Sequence, residues 1–133
     1  MFDPQTLVYD ANGLLPCIAQ DHLTGEVLML AWMNAESVAR TLQTGRVTYW
    51  SRSRQDFWIK GDSSGHVQRL MELRVDCDRD SLLALVEQTG PACHTNRRTC
   101  FYFGLRDGVE VELMAPDQGA TGTGGQAISS PPA

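Results

Sequence analysis

The chain has 133 residues, 42% of them hydrophobic and 20% charged, with a formal net charge of −5. That length allows one domain with a modest core, and the acidic balance argues against non-specific nucleic-acid binding, which needs a basic face. No apolar run approaches the roughly 20 residues of a membrane-spanning helix, and the opening MFDPQT (1–6) has neither the basic nor the apolar segment of an export signal; the expectation is a cytoplasmic protein without membrane contact. In that compartment thiols stay reduced, so the four cysteines are read as metal ligands, reactive groups or core residues, not as two disulfides.

Residues 1–13 form a polar lead-in closed by the Asn12-Gly13 turn signal. Leu14 to Gln20 and Glu26 to Met33 are apolar runs of strand length joined by a loop ending in Gly25, which predicts a hairpin with Cys17 in the core. Asn34 reads as an N-cap for a helix over 35–44, with Ala35, Val38, Ala39 and Leu42 on one face and Gly45 as its stop. Strands are expected over 46–51 and 57–60, then a flexible loop over 61–65. From His66 to Asp78 strict alternation predicts one long strand. The apolar run at 82–86, followed by Gly90 and Pro91, predicts a second helix over 81–88. A polar loop over 93–99 precedes a hairpin of 100–105 and 109–113 turning at Asp107-Gly108. The class is α+β, mostly antiparallel, with two short helices in a single domain over 1–114. A Gly/Ala/Ser/Pro-rich flexible tail is expected over 115–133.

The chemistry concentrates in 75–102. Cys77, Cys93 and Cys100 form a C-x15-C-x6-C set without a tight knuckle. Three thiolates and an open position suit a catalytic zinc; His94 could supply a fourth ligand, and incidental buried thiols are the plain alternative. Asp76, Asp78 and Asp80 stand at i, i+2, i+4. On a continuing strand they would share one face while Cys77 took the other, implying separate sites for a hard cation such as Mg²⁺ and a soft one such as Zn²⁺. The alternative makes Asp80 a helix cap and leaves the other carboxylates in solvent. Arg52 and Arg54 among serines, and Lys60 beside the GDSSG loop and His66, are suited to phosphate oxygens. Trp50 and Trp58 could stack on a base or pack in the core. Basic clusters in an acidic protein point to a small phosphorylated ligand, not a nucleic acid.

WSRSR (50–54), WIKGDSSGH (58–66), VDCDRD (75–80) and CHTNRRTCFY (93–102) closely resemble the phosphoribosyl-AMP cyclohydrolase family of histidine biosynthesis. The resemblance runs from about Leu14 to Tyr102. It implies hydrolytic opening of the adenine ring of 1-(5-phosphoribosyl)-AMP at N1–C6, the third step of that pathway, by attack of a zinc-bound water. It also implies an intertwined homodimer, with Cys77 of one chain and Cys93 and Cys100 of the other on zinc, and Asp76, Asp78 and Asp80 on magnesium. His94 is the expected proton-transfer group, with a structural role behind the ligands as its alternative. Arg52, Arg54, Lys60 and His66 are the expected substrate contacts. Asp62-Ser63 and Thr99 depart mildly from the family pattern and remove no ligand. The competing classes are a non-enzymatic zinc- or nucleotide-binding module and a deaminase-like zinc hydrolase.

Overall fold

The computed structural model describes residues 1–117. After a 3₁₀ turn at Pro4–Thr6 come β1 (Leu15–Asp21), β2 (Val27–Met33), α1 (Ala35–Thr44), β3 (Thr48–Ser51), β4 (Asp56–Ile59), β5 (Gln68–Val75), β6 (Leu82–Gln88), β7 (Phe103–Arg106) and β8 (Val109–Glu112). Six strands form one mixed sheet in the order β4-β3-β2-β1-β6-β5, and β7-β8 form a separate hairpin. Only β1 and β6 run parallel; the other neighbours in the sheet are antiparallel. The class is α+β, as expected, with one α-helix among the described residues.

The sheet curls. Residues 45–47, just ahead of β3, reach across to β5: Val47 N–H donates to Gln68 C=O at 3.1 Å and Leu70 N–H to Gly45 C=O at 2.8 Å. Inside the curl lie Leu15, Cys17 and Ala19 of β1, Met29, Ala31 and Met33 of β2, Tyr49 of β3, and Leu82, Ala84 and Val86 of β6. Cys17 is fully buried, and the loss of water pushes its thiol up to about 12. It is a core residue, as expected. The centre also contains a satisfied polar chain: Tyr49 Oη donates to Gln68 Oε1 at 2.7 Å, and Gln68 Nε2 to Gln88 Oε1 at 2.8 Å. It ties β3, β5 and β6 in one register, since a slip would strand buried polar groups.

The helix over 35–44 forms where expected. Asn34 Oδ1 accepts the Ser37 N–H at 2.8 Å, and Gly45 ends the helix at φ +76°. Its buried stripe is displaced, however: Ser37, Val38 and Thr41 face the core and Leu42 is 40% exposed. A polar tie sets this rotation, the Thr48 N–H donating to Thr41 Oγ1 at 2.9 Å.

The second helix, expected over 81–88, is instead β6, second from the sheet's edge. Both its edges are paired, with β1 and with β5. Leu82, Ala84 and Val86 point inward while Leu83 and Leu85 are half-buried on the outer face. A strand covered on both faces shows no alternation, and a short apolar run then reads equally as helix. With the helix goes the capping role considered for Asp80. The long strand over 66–78 is also shorter, ending at Val75. A bulge at Met71 breaks its alternation, so Gln68 and Leu70 point inward before it, and Leu73 and Val75 after it.

The 107–108 turn has positive φ at both residues, 54° and 78°, as a two-residue hairpin turn requires. Of the expected tail, residues 118–133 lie outside the described residues. Residues 115–117 run back beside the 93–99 loop, where the Asp117 N–H donates to Asn96 C=O. No helix among the described residues is long and apolar enough to cross a membrane.

Candidate active site

The candidate residues hang from the two ends of β6. At its start, residues 76–80 leave the strand in a tight turn with Arg79 at φ +68°. The Asp76 Oδ1 accepts the N–H groups of Asp80 at 3.0 Å and Ser81 at 3.2 Å. The three aspartates are therefore brought together by a loop, not by strand alternation, and the opposite-faces argument does not apply to them. Their carboxylate oxygens all lie within 4.8 Å of one another, the one such group of three or more His, Cys, Asp or Glu side chains among the described residues. Crowding separates their acidities. Desolvation works to raise Asp76, but the N–H donors of Ser81 and Asp80 outweigh it and hold the carboxyl below its usual range. Asp80 is pushed up by its hydrogen bond to Asp78, by desolvation and by Asp76. An exposed, all-oxygen, like-charged cluster fits a hard divalent cation. Cys77, in the same loop, is exposed.

At the other end, β6 runs through Gly90 and Pro91 into a loop that folds back on itself. The Ala92 N–H donates to Arg98 C=O at 3.1 Å, the Cys93 N–H to Arg97 C=O at 3.0 Å, and the Asn96 N–H to Cys93 C=O at 2.9 Å. This fold-back brings the thiols of Cys93 and Cys100 close enough to perturb each other's acidity. The Cys93 Sγ also meets the Thr95 hydroxyl at 3.0 Å. Burial works to raise Cys93, but the Thr95 hydroxyl and N–H, the Cys100 thiol and the Lys60 charge outweigh it and hold the thiol below its usual value. Cys100 is exposed as a residue, yet its thiol turns against Cys93; desolvation, then the neighbouring sulfur, push it up to about 12. Paired soft donors of divergent acidity beside a cation fit a thiophilic metal. Cys77 is no part of this pair. It precedes β6 and Cys93 follows it, and a seven-residue strand separates its ends by about 20 Å at 3.3 Å per residue.

Beside the thiol pair opens a polar cleft of about 450 Å³. Arg54, Lys60, the 61–64 loop, His66, Cys93 and His94 all line it. His66 is seated by a missing side chain: a Cβ on Gly90 would lie 2.7 Å from its Cδ2. Lys60 is nearly buried, its ammonium donating to Ala92 C=O and lying 5.4 Å from the Trp58 ring centroid. Burial holds that ammonium below its usual value, with the two thiols opposing the effect. Arg52 lines a second cleft of about 560 Å³ with Trp32 and Trp50, its guanidinium 4.7 Å from the Trp32 ring centroid. Trp58 borders both clefts while packing on Tyr49, so packing and lining are one role there. Sequence reasoning left Thr95 and the Ala92 carbonyl unnoticed. A hydroxyl two residues past a cysteine was a usable signal; a backbone carbonyl carries none.

Fold and cleft together define a small α+β protein whose candidate site residues gather in a polar, small-molecule-sized pocket that reaches Cys93. Residues 29–102 match the family model described as phosphoribosyl-AMP cyclohydrolase. A relative of that name from Jannaschia sp. (strain CCS1) is 75% identical over 116 residues, covering 87% of this chain and 98% of the relative. One from Paracoccus denitrificans (strain Pd 1222) is 74% identical over 116 residues, 87% of this chain and 96% of its own length. One from Ruegeria sp. (strain TM1040) is 75% identical over 115 residues, 86% of this chain and 89% of its own length. The chain belongs to the phosphoribosyl-AMP cyclohydrolase family.

Proposed function

We propose that this protein hydrolyses 1-(5-phosphoribosyl)-AMP, opening the adenine ring at N1–C6, as the third step of histidine biosynthesis in the cytoplasm. The carrying observation is near-full-length identity of about three-quarters to relatives bearing that enzyme's name. Water adds at C6, the N1–C6 bond breaks, and N1 takes up a proton. The water oxygen and the exocyclic nitrogen stay on C6 as a carboxamide.

Zinc, held by Cys93 and Cys100 of one chain and Cys77 of a second, would supply Lewis acidity and lower the pKa of water at the site. Magnesium on Asp76, Asp78 and Asp80 would neutralise substrate phosphate. The chain's own groups do the rest. His94, exposed at the cleft beside Cys93, moves the proton to N1. His66 is steadied against Gly90 to touch substrate. Arg54 in the first cleft and Arg52 in the second hold the substrate's two phosphates, with Lys60 adding charge at the cleft wall.

The homodimer is supported by the separation of Cys77 from its partner thiols and by the β7-β8 hairpin. That hairpin presents Phe103 and Leu105, alternate residues on one face of β7, at 54% and 77% exposure. Exposed apolar surface of this kind marks association sites.

The test is turnover of 1-(5-phosphoribosyl)-AMP by the zinc-loaded protein with Mg²⁺. Ring opening without ammonia release is expected. Ammonia release would make the protein a deaminase, and no turnover by fully loaded protein would make it a binding module.

A further inference from the structure

We infer that Arg98 is the positioning residue for the thiol pair: its guanidinium, forked onto Asp21 and Glu26, fastens the 91–100 loop to the β1–β2 hairpin and so sets the approach of Cys100 to Cys93. The Arg98 Nε donates to Glu26 Oε1 at 2.9 Å, and its Nη2 bonds Asp21 Oδ2. Asp21 is itself fixed, its Oδ1 accepting the N–H groups of Leu23 at 2.8 Å and Thr24 at 3.0 Å. A planar fork spanning two carboxylates on a rigid turn fixes direction as well as distance, which one ammonium cannot do.

The backbone of Arg98 links this anchor to both sulfurs. Its carbonyl accepts the Ala92 N–H, one residue before Cys93. Beyond it, the Thr99 hydroxyl donates to Val27 C=O at 2.8 Å and the Cys100 N–H to Leu28 C=O at 2.7 Å. The loop's two limbs thus meet at Arg98, and the second is stitched to β2 at the next two residues, Thr99 and Cys100. Arg97 points elsewhere, to Glu112, to Met114 C=O at 3.0 Å and over the Tyr102 ring. It serves the β7-β8 side, leaving Arg98 alone of the two on the sheet. The Asp21–Arg98 pair is also better covered than surface ion pairs, at 10% and 30% side-chain exposure, so it holds geometry that an open pair would not.

The inference rests on the zinc reading above for what the pair holds, but one arm of its test does not. Phenylarsine oxide, a trivalent arsenical that bridges paired thiols, is titrated into metal-free protein; zinc is titrated separately against a chromophoric chelator. Melting of the metal-free protein is followed in parallel. Arg98→Met should weaken both probes by about 10- to 100-fold, the range for groups that orient metal ligands. Arg98→Lys should recover only part of that loss, and Glu26→Gln should show a smaller loss. Arg98→Met and Glu26→Gln proteins that melt earlier but bind both probes as the native protein does would overturn the inference. Should Arg98→Met fail to fold, unchanged binding in Glu26→Gln overturns it equally. Native protein that binds the arsenical but not zinc sinks the zinc reading, and Arg98 is then judged by the arsenical alone.

Discussion

The two ends of β6 hold candidate ligands of different kinds, chiefly carboxylates at one and a thiol pair at the other, under opposite physical regimes. At the 76–81 end three carboxylates crowd together in the open, held by the loop's own N–H groups and pushing one another's acidities apart. At the 91–100 end two thiols sit against a nearly buried lysine, in a loop braced by the hairpin beneath it. The first end is a charge problem waiting for a counter-ion. The second is a preorganised seat. The difference is one of environment: the three carboxylates stay in water, whereas Cys93 and Cys100 sit in a loop tied to itself and to β2.

The sharpest way to test this contrast is one substitution at each end. Cys93→Ala should abolish the tight zinc and cut turnover by more than the roughly 10- to 100-fold that follows loss of a group behind a ligand, as read by metal analysis and steady-state rates. Next in size is a complementation experiment. Cys77→Ala and Cys93→Ala proteins, each inactive, are mixed and allowed to exchange subunits. Half the dimers are then mixed, each with one intact site of two, so activity should recover to roughly a quarter of native in a closed twofold dimer. Proven exchange without recovery would break the claim that the two ends meet across chains.

Asp78→Asn should act more gently. It relieves like-charge crowding around Asp80, so metal-free melting should be unchanged or slightly higher while the Mg²⁺ concentration for half-maximal rate rises; a large loss of stability would erase the contrast. The smallest effect concerns the brace under the thiol loop. Burial opposes ionisation of Asp21, but the N–H donors of Thr24 and Leu23 and the Arg98 charge prevail and lower its pKa. Its contribution to stability is thus present above the unfolded value of about 3.9 and lost as pH falls through the lower folded value. Acid unfolding followed by fluorescence should show a component below about pH 4 that Asp21→Asn removes.

Much of this was legible in the sequence because it was local. Asn34 and Gly45 announced α1, Asp107-Gly108 announced the last turn, and the β1–β2 hairpin followed from its two apolar runs. The cleft was legible as chemistry: Arg54, Lys60, His66, Cys93 and His94 were singled out separately and line one pocket. What failed depended on neighbours. Leu82 to Val86 became a strand because β1 and β5 cover both its edges, which no periodicity within those residues reveals. The aspartates were grouped rightly for a wrong reason, since a turn at Arg79 gathers them where the strand has already ended. Arg98 lay in plain view, but its partners Asp21 and Glu26 are more than seventy residues away in the chain.

The reach of residues 45–47 across to β5 bears on how the molecule meets its neighbours. Eight residues long, β5 would otherwise leave an edge able to template strand after strand. Its first residues are already bonded to Val47 and Gly45, its middle is bulged at Met71, and its outward side chains include Arg69, Glu72 and Arg74 in ion pairs. Open-ended stacking along this side is thereby discouraged. Association is left to side-chain surfaces, which can close on themselves and stop.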